Sequence, residues 1–515
     1  MAEERKAVVR VRAGEIEGIY ENHQFAFKGI PYAAPPVGRL RWLPPQPVQP
    51  WTGVRPAKAF GTIAPQNALP GAAVMESLAI HEPQDEDCLY LNIWTPGLDD
   101  GRRPVMVWIH GGAFIIGAGS QAAFLKNTLV TRCDVVLVTI NYRLGAMGFM
   151  NLKEVTGGRI PASGCEGLLD QIAALEWVRD NIQGFGGDPD NITVFGESAG
   201  AMSIGCLMAM PAARGLFQKC ILESGAANTV SSLEESAAAA ARFLEIVGLK
   251  GDDVEGLRSL TVDRILEAQL TLGNIMLAED GRITPFQPVV DGAVLPEIPI
   301  ESIEKGFASG IHILAGTNLE EMKLFDVMDP GLKRISEAGM ISRLERLMPP
   351  EHVPAVVSAY RRGREKRGES AGPADILSAI RTDLMFRMPA IRLVEAQSRN
   401  NQPAYLYLFT WKSPVMGGLL GSCHALEIGF VFGNYDDTFC GSGPDADALS
   451  RKIQDAWAAF ARTGDPSCES IGRWEPYGDK RTTMILNRLC RPENAPYEEE
   501  RSVWDAFQMV FTRPI

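Results

Sequence analysis

Short apolar runs alternate with amphipathic stretches along most of the chain. The N-terminal segment VVRVRAGEIEGIYENHQFAFKGIPYA alternates apolar and polar positions between Gly and Asn turns, which predicts antiparallel strands. Mostly apolar runs follow at 105–109, 135–142 and 192–195, and their length is typical of buried strands. Between the last two, apolar residues in LLDQIAALEWVRDNI recur at helical spacing until GFGGDPDN ends the helix.

The second half of the chain continues this alternation. Further strands fit KCILES, IHILAGT and AYLYLF, and long segments at about 233–285 and 323–403 are predicted to be helical insertions. Apolar strands that alternate with helices are typical of an α/β fold with a mostly parallel central sheet flanked by helices. We expect the insertions over the carboxyl edge of the sheet, where open α/β sheets bind ligands. Three segments either line a pocket there or belong to the core: LGNIMLAED at 272–280, interpreted as a loop, FQPVV at 286–290 and GAFII at 112–116.

Composition and charge narrow the class of protein. The 515 residues are 46% hydrophobic and 22% charged, which is ordinary for a globular protein. The formal net charge of −13 argues against nucleic acid as a partner, and the basic cluster RRGREKR at 361–367 is interpreted as a solvated helix face. The N-terminal MAEERKAVVRV has no apolar leader segment, and no stretch of about 18 apolar residues occurs. We therefore expect a cytoplasmic protein without membrane insertion.

Cysteine and histidine positions bear on disulfides and metals. Nine cysteines are an odd number, and the closest pair, Cys206 and Cys220, lies 14 residues apart. This spacing predicts free thiols rather than a disulfide framework or a zinc site. The six histidines form neither an HExxH motif nor an i, i+4 pair. The sequence therefore predicts no metal and no cofactor.

The stretch ITVFGESAGAMS places Ser198 between two glycines where a β-prone run becomes a helical one. A serine hydroxyl reacts at neutral pH only where a base takes its proton and the backbone lifts it clear of its neighbours. Gly196 and Gly200 suit such a nucleophile elbow because they place no Cβ between strand and helix. The pattern predicts a helix over 199–210 that Pro211 ends. The motif alone has a chance expectation of about one quarter in this chain, so its context decides.

A site for acyl transfer also needs a base, an acid and donors for an oxyanion. The chain order Ser, acid, His leaves His424 and His352 as bases, and His424 is favoured because it follows a Gly/Ser loop after a strand. The run HILAGTNLEEMKLF ends a strand with Glu320 and Glu321, and either carboxylate suits the role of the acid. The glycine pair in WIHGGAFIIG offers backbone N–H groups to the oxyanion.

Several blocks in one order resemble the type-B carboxylesterases of the α/β-hydrolase fold, which include bacterial para-nitrobenzyl esterases, animal carboxylesterases and cholinesterases. The blocks are FKGIPYAAPPVGRLRW, EDCLYLNIWTP, HGGAF, NYRLGAMGF, GLLDQIAALEWVRDNIQGFGGDPDNITVFGESAG, PVVDG, GTNLEE and CHALEIGFVFGN. The resemblance covers nearly the whole chain and implies a single α/β-hydrolase catalytic domain over residues 1–515.

The resemblance implies roles that spacing leaves open. The family's acid is the second residue of an Asp-Glu-Gly triplet, which matches Glu321, while Glu320 takes the Asp place and Met322 replaces the Gly. Ser198 and His424 match the nucleophile and the base. The oxyanion donors match the backbone N–H groups of Gly112, Ala113 and Ala199. Gly111 would shape the glycine loop, and Glu197 would be a buried carboxylate that supports the triad.

Other departures from the family's pattern narrow the function. The cysteine that family members pair with the one in EDCLYLN is replaced by Ala64, so Cys88 is expected to be free, as in a reducing compartment. No tryptophan lies between APQN and Cys88, so the aromatic cation site of cholinesterases has no counterpart.

The resulting hypothesis is a serine carboxylester hydrolase that cleaves uncharged small-molecule esters through an acyl-enzyme, without a cofactor. The expected assembly is a monomer or a weak homo-oligomer. Two alternatives stay open: a catalytically silent binding or adhesion protein on the same fold, and a serine hydrolase that prefers amides, carbamates or lipids.

Overall fold

The computed structural model describes residues 7–68, 80, 82–281, 284–400 and 402–506. The strands in these residues are β1 Val8–Val11, β2 Gly14–Glu17, β3 Ile19–Glu21, β4 Gln24–Pro31, β5 Val54–Pro56, β6 Tyr90–Thr95, β7 Arg103–Ile109, β8 Val136–Ile140, β9 Gly187–Glu197, β10 Lys219–Glu223, β11 His312–Asn318, β12 Ala404–Phe409, β13 Thr482–Leu486 and β14 Arg491–Asn494.

Helices connect most of the later strands. They are α1 Thr128–Cys133, α2 Gly145–Phe149, α3 Leu152–Val155, α4 Glu166–Asn181, α5 Ala199–Leu207, α6 Leu233–Val247, α7 Val254–Ser259, α8 Val262–Asp280, α9 Pro299–Glu304, α10 Lys323–Asp326, α11 Glu337–Leu344, α12 Val353–Lys366, α13 Pro373–Thr382, α14 Met388–Arg399, α15 Ile428–Phe432, α16 Pro444–Thr463 and α17 Glu498–Arg501. A π-helical turn, Asp383–Arg387, joins α13 to α14.

Among the described residues, eleven strands form one sheet in the order β14-β13-β12-β11-β10-β9-β7-β8-β6-β4-β3. The seven strands from β13 to β8 pair in parallel, whereas β14 and the three strands from β6 to β3 pair antiparallel at the two edges. Central strands such as β8 and β10 are buried at every position, as expected where helices cover both faces of a sheet. The mostly parallel α/β sheet predicted from the sequence is confirmed.

The register of the central strands gathers polar residues at one edge. Ile109 of β7 pairs with Gly196 of β9, and Glu197 of β9 pairs with Glu223 of β10. Glu223 in turn pairs with Gly316 of β11. Because these strands run in the same direction, the residues that follow each of them meet at the carboxyl edge of the sheet.

The core lies in two apolar layers, one on each face of this sheet. Val107 and Val194 point to the layer beneath α4 and α5, whereas Trp108 and Phe195 point to the layer beneath α15 and α16. The rings of Trp108 and Phe195 pack edge to face, with centroids 4.9 Å apart. This packing holds the strands that carry the site residues between two rigid layers.

Most sequence-based element predictions are confirmed. The antiparallel N-terminal strands are present as the pairs β1·β2 and β3·β4, and the predicted long helix is α4. The basic cluster at 361–367 lies on and just after α12, where Arg361 pairs with Glu337 and Arg367 pairs with Glu500.

Two element predictions are wrong. Residues 272–280 are not a loop but the second half of α8, because Leu272 and Met276 are one helical turn apart and both are buried in the core. The helix after the elbow ends at Leu207 rather than at residue 210, before a short 3₁₀ turn that begins at Pro211. The domain and insertion boundaries stay predictions.

No helix in the described part of the chain is long and apolar enough to cross a membrane. All nine cysteines are free thiols, and seven of them, Cys88 included, are buried. Burial raises the pKa of the Cys88 thiol well above its usual value. The prediction of free thiols is confirmed.

Candidate active site

Ser198 stands at a sharp turn between β9, which ends at Glu197, and α5, which begins at Ala199. Its backbone angles, φ 55° and ψ −124°, lie where residues other than glycine are uncommon, as expected for a strained elbow. A Cβ on Gly200 would lie 2.0 Å from the carbonyl oxygen of Ile109 in β7. Glycine is therefore required at this position for the helix to pack against the strand.

The serine is positioned by backbone contacts. Its N–H donates a 2.9 Å hydrogen bond to the carbonyl oxygen of Glu223, at the end of β10. Its side-chain oxygen makes no hydrogen bond to another described residue, and the residue is 7% exposed. The elbow thus presents a hydroxyl that is close to solvent and not engaged elsewhere.

Glu321 belongs to the acid loop, residues 318–321, at the end of β11. Its Oε2 lies 2.8 Å from Nδ1 of His424. Its Oε1 accepts two hydrogen bonds of 2.6 Å, from the backbone N–H of Asn318 and the hydroxyl of Ser224. An ionised carboxylate only accepts hydrogen bonds, so this arrangement places a hydrogen on Nδ1 of the imidazole.

The other nitrogen of the imidazole, Nε2, faces the elbow. It lies 3.1 Å from Oε1 of Glu197, the residue directly before Ser198. The backbone N–H of Ala425 also donates to the Glu197 carboxylate. The structure therefore brings Ser198, Glu197, Glu321 and His424 to one place.

Protonation of His424 and Glu197 is coupled. Burial alone would lower the pKa of His424, but the negative charges of Glu197 and Glu321 outweigh it and raise that pKa to about 9. Burial raises the pKa of Glu197 to about 8, although the imidazole acts in the opposite direction. Because Nε2 and Oε1 of Glu197 lie 3.1 Å apart, a change of charge on either group shifts the pKa of the other.

Two further carboxylates lie behind the imidazole. Glu223 accepts a 2.8 Å hydrogen bond from the indole N–H of Trp457, and Glu427 accepts one from the side-chain amide of Asn318. Burial raises the pKa of Glu427 to about 7 and that of Glu223 well above its usual value. The site therefore contains a group of buried carboxyl groups that do not all ionise together at neutral pH.

The oxyanion loop, residues 111–113, follows β7 and lies against the serine. A Cβ on Gly111 would be 3.1 Å from the Cβ of Ser198. Gly112 and Ala113 have φ angles of 108° and 54°. In the described part of the chain, the backbone N–H groups of Gly112, Ala113 and Ala199 donate to no other residue. These three N–H groups are therefore available to a ligand, and their role as oxyanion donors stays a prediction.

His110 supports this loop from below. Its Nδ1 donates a 2.8 Å hydrogen bond to the carbonyl oxygen of Gly111, and its ring stacks on Tyr142 at 4.4 Å. Burial lowers the pKa of His110 to about 4, so the ring is neutral at physiological pH. Because C=O of Gly111 and N–H of Gly112 belong to one peptide and point in opposite directions, this bond directs the N–H away from His110.

Two aromatic rings flank the imidazole of His424. Phe325 in α10 lies 5.3 Å from it and Phe386 in the π-helical turn lies 4.8 Å from it, measured between ring centroids. Both residues belong to the second predicted insertion, so this segment covers the histidine with apolar surface. The sequence pattern did not single out either ring.

The structure distinguishes the candidates that the sequence left open. His352 lies in the 3₁₀ turn before α12, and it is His424 that contacts Glu321. Glu320 points away from the imidazole toward Ser422 and Lys323. Met322 is fully buried, and its backbone N–H donates to the hydroxyl of Thr382, so the acid loop accommodates this side chain.

Sequence reasoning missed three polar residues around the acid: Ser224 and Asn318, which donate to Glu321, and Glu427, which accepts from both of them. The sequence position of each residue gives only a weak indication of this role. Ser224 and Asn318 stand at the ends of apolar strands that neighbour the elbow, and Glu427 interrupts an apolar run three residues after His424. In the described residues, no group of three or more His, Cys, Asp and Glu side chains has the arrangement of a metal site.

A parallel sheet covered by helices on both faces, with a serine elbow and a histidine–carboxylate pair at its carboxyl edge, defines the class of this protein. It is a serine hydrolase of the α/β-hydrolase fold. The chain belongs to the carboxylesterase family, which matches residues 5–504.

Individual relatives share this family over nearly their whole length. The para-nitrobenzyl esterase of Bacillus subtilis (strain 168) is 40% identical over 501 residues, covering 96% of this chain and 97% of that protein. The phenmedipham hydrolase of Pseudarthrobacter oxydans is 35% identical over 484 residues, covering 92% and 93%. The crystal structure of carboxylesterase EST55 of Geobacillus stearothermophilus at pH 6.2 superposes with a TM-score of 0.86 at 38% identity, covering 97% of this chain and 100% of that one.

These comparisons confirm the predicted family, fold and activity: the protein is a serine carboxylester hydrolase. The alternative of a silent binding protein is not favoured, since the similar proteins are named as esterases and hydrolases.

Proposed function

We propose that Ser198, His424 and Glu321 are the catalytic triad of this esterase. His424 accepts the Ser198 hydroxyl proton on Nε2 while the serine oxygen attacks the ester carbonyl. Glu321 holds the hydrogen on Nδ1 and stabilises the imidazolium that forms. The observation that carries this assignment is the 2.8 Å contact between Nδ1 of His424 and Glu321, with Nε2 directed at the elbow.

The remaining steps follow from the same groups. The tetrahedral oxyanion is stabilised by the backbone N–H groups of Gly112, Ala113 and Ala199, with Gly111 shaping their loop. The imidazolium returns its proton to the alkoxide of the leaving alcohol, and the acyl group stays on Ser198. Water then attacks the acyl-enzyme, with His424 again as the base, and releases the carboxylic acid.

Glu197 supports this cycle through its charge, which raises the pKa of His424 and stabilises the imidazolium. His424 accepts a proton from Ser198 only when Nε2 carries no hydrogen. A rise in pH that removes hydrogen from Nε2 increases the active fraction of the enzyme.

We propose uncharged carboxylic esters as the substrate class. The rings of Phe325 and Phe386 make the surroundings of His424 apolar, so a charged substrate group would lose hydration there without a compensating partner. p-Nitrophenyl butyrate is therefore expected to be cleaved much faster than mono-p-nitrophenyl succinate, its charged analogue. Equal kcat/KM values for the two would contradict this class.

The cellular setting is part of the proposal. Nine free cysteines support a reducing, cytoplasmic compartment. We further propose that residues 1–515 form a single catalytic domain that works as a monomer or a weak homo-oligomer on small molecules. Light scattering on the purified protein across a range of concentrations measures the assembly.

The first test compares the wild type with Ser198→Ala on p-nitrophenyl acetate and butyrate. The variant is expected to lose about 10⁴-fold or more in kcat, because it lacks the nucleophile. Ser203→Ala is a matched control: this buried serine lies on the same helix, contacts Gln171, and does not face the site residues. We expect the control to keep kcat within about threefold of the wild type.

Residual activity in Ser198→Ala close to that of the wild type would contradict the triad. Mass spectrometry of the wild type after reaction with a fluorophosphonate provides a second readout. The label is expected on the peptide that contains Ser198, and label on another serine would identify a different nucleophile.

A further inference from the structure

The acid loop makes several hydrogen bonds to the backbone of the histidine loop, residues 421–424. The backbone N–H of Glu320 donates to the carbonyl oxygen of Ser422 at 2.9 Å, and the backbone N–H of His424 donates to that of Glu321 at 3.2 Å. The side-chain amide of Asn318 donates to the carbonyl oxygen of Cys423 at 2.7 Å. The two loops therefore meet through a continuous set of hydrogen bonds.

Glu320 adds a charged contact to this set. Its Oε2 accepts a 2.9 Å hydrogen bond from the backbone N–H of Ser422, and its Oε1 lies 2.6 Å from the ammonium group of Lys323. The Glu320 side chain is 18% exposed. It is thus a charged side chain, mostly shielded from water, that binds the histidine loop two residues before His424.

Space for this carboxylate depends on Gly421. A Cβ at position 421 would lie 2.2 Å from Oε2 of Glu320, and the glycine has a φ of 54°. The histidine loop therefore leaves a place for the carboxylate that another residue would fill.

We propose that Glu320 is a positioning residue of the esterase, whose carboxylate fastens the histidine loop to the acid loop and so places His424 between Glu321 and Ser198. The inference rests on the proposed function of these three residues as the triad. Glu320 does not touch the reacting atoms. It acts through the Ser422 peptide, whose position determines where the imidazole ring of His424 lies.

The ionisation of Glu320 is compatible with this role over the whole working range of pH. Burial acts to raise its pKa, but the charge and hydrogen bond of Lys323 and the N–H of Ser422 outweigh burial and keep that pKa below its ordinary value. A carboxyl group with a lowered pKa contributes its stabilisation above its ordinary pKa and loses it only as the pH falls through the lowered value. The acid limb of activity therefore reports on His424 rather than on Glu320.

The test compares Glu320→Ala and Glu320→Gln with the wild type in kcat, KM and pH profile. Active sites are counted by the p-nitrophenol burst of a p-nitrophenyl phosphonate, so that kcat is expressed per reactive serine. We expect Glu320→Ala to lose about 10- to 100-fold in kcat with KM within about twofold, because small misplacements of a catalytic group are costly. Glu320→Gln is expected to lose less, since its amide oxygen still accepts from the N–H of Ser422.

The pH profile separates positioning from simple stability. A displaced histidine loop weakens the bond from Nδ1 of His424 to Glu321, so the pKa of His424 falls and the acid limb of kcat/KM moves to lower pH. Glu297→Gln is the matched control, because it removes a Glu–Lys pair of 2.7 Å, with Lys305, on an exposed surface. We expect this control to keep the wild-type kcat and profile.

Variants at Glu320 that lose only reactive sites, with kcat per site and the acid limb unchanged, would overturn the inference in favour of a purely structural role. Wild-type values in every readout would overturn it as well. The proposed function fails in a different way: the wild type would then show no burst, or Ser198→Ala would keep its activity. If Glu320→Ala does not fold, Glu320→Gln decides on the same readouts.

Discussion

The serine side of the site contrasts with the histidine side in how it is held. On the serine side, the elbow and the oxyanion loop are positioned by backbone groups and by the absence of side chains, as at Gly200. On the histidine side, Glu321 and His424 are held by side-chain hydrogen bonds and charges from residues such as Ser224 and Asn318. The first side is therefore sensitive chiefly to added volume, whereas the second is also sensitive to changes in charge and pH.

Among substitutions that keep the nucleophile, the largest effect is expected on the histidine side. Glu321→Gln keeps the shape of the side chain but removes its charge. It also turns an amide N–H toward groups that themselves donate, such as the Ser224 hydroxyl and Nδ1 of His424. The tautomer of His424 with hydrogen on Nδ1 is then no longer stabilised. We expect kcat on p-nitrophenyl butyrate to fall by about 10³- to 10⁴-fold. A loss below about tenfold would mean that another carboxylate is the acid.

On the serine side, Gly200→Ala tests the demand for space. Alanine normally stabilises a helix relative to glycine, by about 1 kcal/mol. Here its Cβ would lie 2.0 Å from the carbonyl oxygen of Ile109, so we expect a loss of about 1–3 kcal/mol in the free energy of unfolding, measured by urea denaturation. Gly478→Ala is the control, since a Cβ there meets nothing within 4 Å. Equal stability of the two variants would show that β7 yields to the added methyl group.

The smallest expected effect is a shift in the pH dependence of activity, caused by a change at Glu197, where the serine side contacts His424. Glu197→Gln removes a negative charge 3.1 Å from Nε2 of His424, and this lowers the pKa of the imidazole. The base is active when neutral, so the acid limb of kcat/KM is expected to move about 1 unit to lower pH. If the acid limb of the kcat/KM profile does not move, Glu197 is already neutral throughout the titration of His424.

The same contrast explains which parts of the site could be predicted from the sequence. The elbow follows from local pattern, because an apolar run, two glycines around a serine and a helical run are contiguous in the chain. The choice between Glu320 and Glu321 does not, since both follow the same strand and only the position of the histidine loop separates their directions. The resemblance to a family resolved this choice before the structure did.

Tertiary contacts explain the remaining gaps. Ser224 and Asn318 are ordinary polar residues in sequence, and their role arises from the register of β10 and β11, which brings the two strand ends together. Glu427, just before α15, joins them through its contacts with both. Residues 272–280, predicted as a loop, form the second half of α8: Gly273 and Asn274 disfavour a helix locally, but burial of Leu272 and Met276 in the core maintains it.

The order of the strands also bears on how the enzyme is made. Parallel strands joined by long crossovers pair residues that are distant in the chain, so such sheets form slowly. His424 follows Ser198 by 226 residues, and a ribosome adding roughly 5–20 residues per second needs on the order of 10–50 s to bridge that gap. The nascent chain thus carries Ser198 long before its base is synthesised. It becomes able to cleave an ester only after His424 has been synthesised and has folded against Glu321.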